Sequence, residues 1–143
     1  MTQENKELLF KDLCARLPYG VKFLRESWNF EWDQELSVIE VLEDIDKDGY
    51  INNTKVYNVE DIKPYLFPLS SMTREQLFEV QEMLGKNEIE IEDGFLHIVD
   101  SDRNVITYLE ILALLEWFYK NHFDVYGLIP MGLAIDATNL KIY

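Results

Sequence analysis

Apolar residues in the first part of the chain recur at the spacing of an amphipathic helix. The segment "ENKELLFKDLCARL" carries apolar side chains three and four residues apart, which predicts a helix with one inward-facing side. Pro18 and Gly20 end this pattern. We expect the following residues on or beside the inward-facing side: Leu9, Phe10, Leu13, Cys14, Arg16 and Leu17. Cys14 is then predicted to be a small core residue.

Alternating and β-branched residues next predict extended structure. The segment "GVKFLRE" alternates as a strand does. Trp28, Phe30 and Trp32 follow at every second position, which fits either an aromatic hairpin arm or an ordered loop. The segment "LSVIEVLEDI" matches helical spacing, but it is also rich in Val and Ile, which suit a strand. The turn chemistry that comes after it favours the strand.

Tight turns separate short extended segments between residues 46 and 59. "DKDG" and "NNT" are turn sequences, and they flank the strand candidates "YIN" and "KVYNV". Residues 19–61 are therefore predicted to form a small bent antiparallel meander or an SH3-like barrel. Pro64 and Pro68 then predict an extended connector, because proline excludes a long helix.

The second half of the chain begins with a helix start. Thr73 and Gln76 have the spacing of a capping box, and Met72 and Leu77 have that of a hydrophobic staple. Gly85 is the expected stop of this helix.

A hairpin and a long helix follow. The segment "NEIEIEDGFLHIV" alternates, turns at Asp93 and Gly94, and alternates again, which predicts a β-hairpin. Residues 104–121 are apolar nearly all round, which predicts either a buried central helix or one that also forms an interface. The predicted fold is α+β: an N-terminal helix, the meander or barrel, and a helical half with one hairpin. We expect one domain, with the helix and β-meander in residues 1–68 and the helical half in residues 72–143.

Charge and cysteine content narrow the function classes. The 143 residues include 27 acidic and 13 basic side chains, for a net charge of −14. This charge argues against binding nucleic acid or an anionic membrane. It is compatible with a basic protein partner, and its simplest interpretation is a well-solvated surface. Cys14 is the single cysteine, so no internal disulfide can form, which suits a reducing compartment. With no signal-peptide pattern and no long apolar span, we predict a cytoplasmic protein.

The segment "EDIDKDGYIN" opens as a calcium-binding EF-hand loop does. Asp44, Asp46 and Asp48 fill loop positions one, three and five, and Gly49 supplies the sharp turn. Position twelve should carry a bidentate Glu but holds Lys55, whose ammonium group repels the ion. The segment is therefore better explained as a hairpin turn. Its three aspartates remain the only candidate metal or ligand site.

A shorter echo of this loop occurs at residues 100–110, "DSDRNVITYLE". It lacks the central glycine, and its polar opening also fits a helix N-terminus capped by Asp102 or Asn104. We therefore predict neither a bound metal ion nor a cofactor.

The sequence contains no recognisable catalytic motif. Glycine-rich phosphate loops, the two-histidine zinc motif and paired cysteines are all missing. His97 lies within an apolar strand sequence, and His122 follows the long helix, where a charged imidazole suits the helix dipole. Glu110 and Glu116 are six residues apart and so point to different sides of that helix. We predict that the protein is not an enzyme.

Three stretches of the sequence resemble a known family: "ELLFKDLCARLPYGVK", "YNVEDIKPYLFPLSSMT" and "NHFDVYGLIPMGLAIDAT". They are similar to a family of short uncharacterised proteins from gut anaerobic bacteria and their phages and mobile elements. The resemblance covers both ends and the centre of the chain. It implies no activity and no site, and it does not include residues 27–35 or the calcium-like segments.

Two function classes stay open. The first is a non-enzymatic interaction module of phage or mobile-element origin, which binds a protein partner. Its candidate contact surface is Trp28, Phe30 and Trp32, whose alternative role is to cover the open side of the barrel. Self-association through residues 104–121 is a further option, and imitation of nucleic acid is a special case. The second class is a small-ligand or calcium-binding module that uses the loop from Asp44 to Asp48.

Overall fold

The structure is a computed structural model. It describes residues 1–29, 34–53, 55–85, 88–92, 95–99 and 108–143, with the backbone alone for residues 26–29, 34–37, 88–92, 95–99 and 108. The helices are α1 (Gln3–Arg16), α2 (Arg74–Met83) and α3 (Tyr108–Lys120). The strands are β1 (Lys22–Asn29), β2 (Gln34–Val41), β3 (Tyr50–Asn52), β4 (Val56–Asn58), β5 (Ile62–Leu66), β6 (Glu88–Glu92), β7 (Phe95–Val99) and β8 (Ile135–Asp136). The predicted α+β class is confirmed, because an N-terminal helix precedes a mixed sheet and later helices.

The region predicted as a meander or barrel, residues 19–61, contains antiparallel pairs that belong to two different sheets among the described residues. β1 and β2 form an antiparallel hairpin over the full length of both strands. The chain then turns back at residues 46–50, which places Ile45 opposite Ile51, and β3 pairs with β4. A 3₁₀ turn, Val59–Asp61, leads into β5, which returns to pair with β1. The turn chemistry therefore predicted correctly that this region folds back as paired extended segments.

Residues 62–66 are extended as predicted, but they form an inner strand rather than a connector. The sheet order is β2-β1-β5-β8, with β5 antiparallel to β1 and parallel to β8. Pro64 lies opposite Phe23, and pairing with β8 begins only at Tyr65. The missing N–H of Pro64 therefore falls where β5 has a neighbour on one side only, which makes proline acceptable in this strand.

Two apolar cores form among the described residues. The first lies between α1 and strands β1, β3 and β5, and it includes residues from the C-terminal segment. Its members are Leu9, Leu13, Val21, Phe23, Leu42, Ile51, Val59, Ile62, Leu66, Leu128, Leu133 and Ala134. The second lies between α2 and α3 and consists of Val80, Leu84, Leu114, Phe118 and Phe123. Residues 128–134 thus return from the helical half to the first core.

The inward side of α1 differs from the prediction at one position. Leu9 and Leu13 are fully buried, as expected, but Cys14 is exposed, so the prediction of a core cysteine was wrong. The reason is that Asp12 and Arg16 take the other inward positions of the helix, where both are fully buried.

The predicted elements of the helical half are also present. The capping box of α2 is confirmed: Thr73 Oγ1 accepts from the Gln76 N–H at 3.2 Å, and Gln76 Oε1 accepts from the Thr73 N–H at 2.9 Å. The predicted hairpin is confirmed as the β6–β7 pair, with Ile89 opposite Ile98. Its turn at residues 93–94 and the predicted start of the long helix lie outside the described residues. None of the described helices combines the length and apolar character that crossing a bilayer requires.

Candidate functional site

Strands β1 and β2 continue beyond the point where β5 stops. β5 pairs with β1 only from Phe23 to Arg25, whereas β2 accompanies β1 as far as Asn29. The backbone of residues 26–29 and 34–37 therefore forms a two-stranded arm that extends past the third strand. Of the predicted aromatic surface, Trp28 lies in this arm. The other two members, Phe30 and Trp32, lie outside the described residues.

A groove of about 480 Å³ opens at the base of the arm. It lies at the end of the β1–β5 ladder, because the last ladder pair, Arg25 and Ile62, belongs to its lining. The described lining residues are Leu24, Arg25, Tyr57, Glu60, Asp61, Ile62 and Lys63. Pockets that bind small molecules typically span about 300 to 1,000 Å³, so this groove can take several side chains of a bound partner.

Arg25, Glu40 and Tyr57 hold one another in place at the groove. Arg25 Nε donates to Glu40 Oε1 at 3.4 Å, and the Tyr57 hydroxyl donates to the same oxygen at 3.2 Å. The Arg25 guanidinium carbon lies 4.7 Å from the centre of the Tyr57 ring, and Asn53 Nδ2 donates to the second carboxylate oxygen of Glu40 at 3.2 Å. Side chains with several partners lose little freedom when a ligand binds, so this part of the groove is preorganised.

The electrostatics of Tyr57 suit recognition better than proton transfer. Burial raises the pKa of Tyr57, the bond to Glu40 raises it further, and the nearby Arg25 charge lowers it. The phenol therefore stays neutral at physiological pH and presents a ring and a hydroxyl. Neither a histidine nor a cysteine belongs to the described lining. The groove consequently lacks the side chains that act most often as general base or nucleophile.

The rim of the groove carries charges of both signs. Glu60 pairs with Lys6 at 3.6 Å, and Asp61 Oδ2 accepts from the Asn58 N–H at 3.3 Å. The Lys63 side chain makes no hydrogen bond or ion pair with any described residue. Glu60, Asp61 and Lys63 are all exposed, so the rim presents charges of both signs to a partner.

The calcium-like loop is a hairpin turn, as the sequence predicts, and its own aspartates hold it. Asp46 Oδ1 accepts from the N–H groups of Asp48 at 2.9 Å and Tyr50 at 3.0 Å. Backbone hydrogen bonds, that of Tyr50 above all, lower the pKa of Asp46. The amide of Asn52 donates to Asp44 Oδ2 at 3.2 Å, and strand β3 follows the turn where an EF-hand needs a helix. Among the described residues, no group of three or more His, Cys, Asp or Glu side chains could hold a metal ion.

Helix α3 is buried on one side and exposes apolar residues on the other. Leu114 and Phe118 pack in the second core, whereas Leu109 is 75% exposed, Ile111 43% and Leu112 39%. The predicted core packing of this helix is therefore confirmed on one side, and its role in an interface stays a prediction.

Sequence reasoning missed a buried ion pair. Asp12 and Arg16 lie one turn apart on α1, and Arg16 Nε and Nη2 donate to the two carboxylate oxygens at 2.7 and 2.9 Å. Arg16 Nη2 also donates to the carbonyl oxygen of Phe123 at 2.6 Å. The signal in the sequence was a carboxylate four residues before an arginine on the side of the helix that carries Leu9 and Leu13.

The predicted charge on His122 is wrong. Its ring stacks on Tyr143 with 3.8 Å between ring centres. Burial, together with the nearby Arg16 and Lys22 charges, lowers the pKa of His122 to about 4. The imidazole is therefore neutral at physiological pH and cannot complement the helix dipole as a cation.

Comparison of the chain with known protein families, curated proteins and solved structures finds no match. The resemblance to proteins of gut anaerobic bacteria and their mobile elements therefore stays a prediction.

Proposed function

We propose that this protein is a non-enzymatic interaction module that binds a partner protein in the groove at the base of the β1–β2 arm. The observation that supports this most directly is the groove itself. It offers a fixed Arg25–Tyr57 pair, the half-buried apolar side chain of Leu24, and the exposed Lys63 in one concave surface. Concave sites that mix apolar area with a few placed polar groups are typical of binding surfaces.

The partner is expected to be basic. The chain carries 27 acidic and 13 basic residues, and this excess produces a field that attracts cationic partners and repels nucleic acid. A cytoplasmic location and an origin in a phage or mobile element belong to the same proposal. Their support is the single cysteine, which suits a reducing compartment, and the family resemblance.

The small-ligand or calcium alternative has weaker support. Asp46 already accepts two backbone hydrogen bonds through one oxygen, and the Asn52 amide directs its hydrogens toward Asp44. A cation would have to displace these donors, and Lys55 still stands where the bidentate ligand is needed.

Peptide selection tests the proposal because it does not require the natural partner. A display library of random dodecapeptides is selected on the wild-type protein, and the recovered peptides are synthesised and titrated. We expect sequences enriched in Lys and Arg. Their affinity should fall at least tenfold for the double variant Glu60→Lys with Lys63→Glu, which rearranges the charges of the rim without changing the net charge.

A matched control exchanges charges away from the groove. The double variant Lys11→Glu with Glu82→Lys also leaves the net charge unchanged, and both residues lie on exposed helix surfaces. It should bind the selected peptides as the wild type does. Recovery of no peptide, or equal affinities for wild type, groove variant and control, would contradict the proposal.

The exposed side of α3 is a second surface for the same class of function. Leu109 and Leu112 are apolar and solvent-facing. They lie near one another because residues at positions i and i+3 share one side of a helix. Light scattering on the wild type and on Leu109→Glu tests whether this surface joins copies of the chain. A dimer mass that reverts to a monomer in the variant would support it, and a monomer mass for the wild type would contradict it.

A further inference from the structure

A side chain from the far end of the sequence closes the ladder between β1 and β5. The register of the two strands places Lys22 opposite Tyr65, one step beyond the pair of Phe23 and Pro64, but the ladder does not include this pair. The Tyr143 hydroxyl bridges it instead. This hydroxyl accepts from the Lys22 N–H at 2.9 Å and donates to the Tyr65 carbonyl at 2.9 Å.

The ring of Tyr143 lies in a slot lined by aromatic and cationic side chains. It stacks on the His122 ring, with 3.8 Å between ring centres and 9° between the planes, and the centre of the Phe67 ring is 5.8 Å away. Lys22 Nζ lies 5.6 Å from the centre of the Tyr143 ring, within the range of a cation–π contact. Burial raises the pKa of Tyr143 to about 12. The hydroxyl therefore stays protonated, and it can donate and accept at the same time.

The slot is held by contacts that do not involve Tyr143. The Phe67 N–H donates to the His122 carbonyl at 2.9 Å, which fixes these two residues relative to each other. Lys22 pairs with β2, and Tyr65 pairs with β8. We therefore expect the slot to keep its shape when the Tyr143 ring leaves it, so that it is preorganised for a ring of the same kind.

Residues 140–143 form a strap that carries Tyr143 into the slot. Lys141 is exposed and has a left-handed backbone at φ 50°, a conformation that strains a residue with a Cβ atom. Apart from the Tyr143 hydroxyl, one hydrogen bond among the described residues ties the strap to the sheet, from Lys22 Nζ to the Ile142 carbonyl at 2.5 Å. Backbone strain and few anchors favour a local opening that leaves the sheet intact.

We propose that the slot is a binding site for a neutral phenol ring, which the strap fills with Tyr143 when closed and leaves free when open. A phenol fits because the Lys22 N–H needs an acceptor and the Tyr65 carbonyl needs a donor. A bare phenyl ring would leave both peptide groups unpaired, and a phenolate could not donate. A ligand of the open state is therefore a phenol, the side-chain chemistry of tyrosine. This inference does not depend on the function proposed for the groove.

Chemical rescue of Tyr143→Ala tests the inference. The variant empties the slot, so the Lys22 amide should exchange with solvent at least tenfold faster than in the wild type, as measured by NMR. Added para-cresol should slow this exchange again at least tenfold and raise the melting temperature of the variant saturably. Toluene, which lacks the hydroxyl, should not restore the protection. In the control Tyr50→Ala, which removes a ring of similar exposure, para-cresol should not raise the melting temperature.

The wild type provides a test that needs no variant. If the strap opens without the sheet, the Lys22 amide should exchange at least tenfold faster than the Leu24 amide, which bonds to Lys63 within the ladder. Equal rates for the two amides would mean that strap and sheet open together, which would overturn the strap. A Tyr143→Ala variant that para-cresol does not protect, or that toluene protects equally well, would overturn the phenol site.

Discussion

Replacement of Arg16 by methionine should destabilise the protein strongly, because it removes one half of a buried ion pair. The side chains of Arg16 and Asp12 are both fully buried and share two hydrogen bonds, of 2.7 and 2.9 Å. Arg16 also ties α1 to the segment after α3 through the carbonyl of Phe123. Methionine fills most of the space of the arginine stem, so the change isolates the lost charge and the lost hydrogen bonds.

The expected loss is a large part of the total stability. Breaking a buried ion pair by removing one partner typically costs about 3 to 5 kcal/mol, because the other charge stays buried without compensation. With a urea dependence of about 2 kcal/mol per molar for a chain of this size, the unfolding midpoint should fall by about 2 M.

The double variant Asp12→Leu with Arg16→Met should recover most of this loss. Burial raises the pKa of Asp12 from its ordinary value of 3.8 even though Arg16 is beside it. The attraction between the two charges therefore does not offset the desolvation of the carboxylate. Replacing both members of such a pair by apolar side chains is often neutral, and we expect the double variant within about 2 kcal/mol of the wild type.

Urea unfolding at pH 7 and pH 5 measures both effects. In Arg16→Met, the pKa of Asp12 in the folded state stays above its unfolded value, so folding favours the protonated carboxyl. The deficit should then be largest at pH 7 and shrink as the pH falls toward the unfolded pKa. Arg74→Met, the same substitution at an exposed position, is the control and should change stability by less than about 0.5 kcal/mol. A deficit below about 1 kcal/mol for Arg16→Met, or a double variant less stable than the single one, would refute the reasoning.

Three further predictions concern stability and ligands. Thr73→Ala removes the capping box of α2 and should lower the free energy of unfolding, measured in urea, by about 1 kcal/mol. Thr73→Asp keeps an N-cap acceptor and should lower it clearly less. Equal losses for the two variants would contradict this prediction. His122, with a folded pKa of about 4 against 6.5 unfolded, should make stability fall as the pH drops from 6.5 toward 4. Because the imidazole ring is only partly buried, we expect this loss of stability to be about 1 kcal/mol. The loss should be absent in His122→Asn, since asparagine tolerates the left-handed backbone at φ 61°. Identical pH profiles for the variant and the wild type would argue against this prediction. Millimolar calcium should leave the melting temperature unchanged, since Asp46 is committed to its own turn, and a rise of several degrees would restore the metal hypothesis.

The elements that the sequence predicted well are those with local causes. The start of α2 depends on Thr73 and Gln76, which lie three residues apart and bond to each other's backbone. The turn at residues 46–50 likewise depends on Asp46 and Gly49, whose conformation is set by contacts within the turn itself. Local chemistry of this kind can be read from spacing alone.

The predictions that failed depend on contacts between distant residues. Cys14 is exposed because Arg16 bonds to Phe123, more than a hundred residues away, and so turns a charged side of α1 inward. Residues 62–66 join the sheet because β5 pairs with the distant strand β1 on one side and β8 arrives from the far end of the chain on the other. No pattern within ten residues of either site encodes these partners.

The position of the groove depends on both local contacts and contacts between distant residues. β1 has a partner in β2 along its whole length, but β5 begins only at Ile62, because the preceding 3₁₀ turn bends the chain away from β1. That turn is held by a reciprocal cap, in which the Asn58 side chain accepts from the Asp61 backbone and Asp61 accepts from the Asn58 N–H. Asp61 is also part of the groove lining. Asp61 therefore both holds the turn that precedes β5 and lines the groove, so the groove lies where one local turn meets a long-range strand ladder.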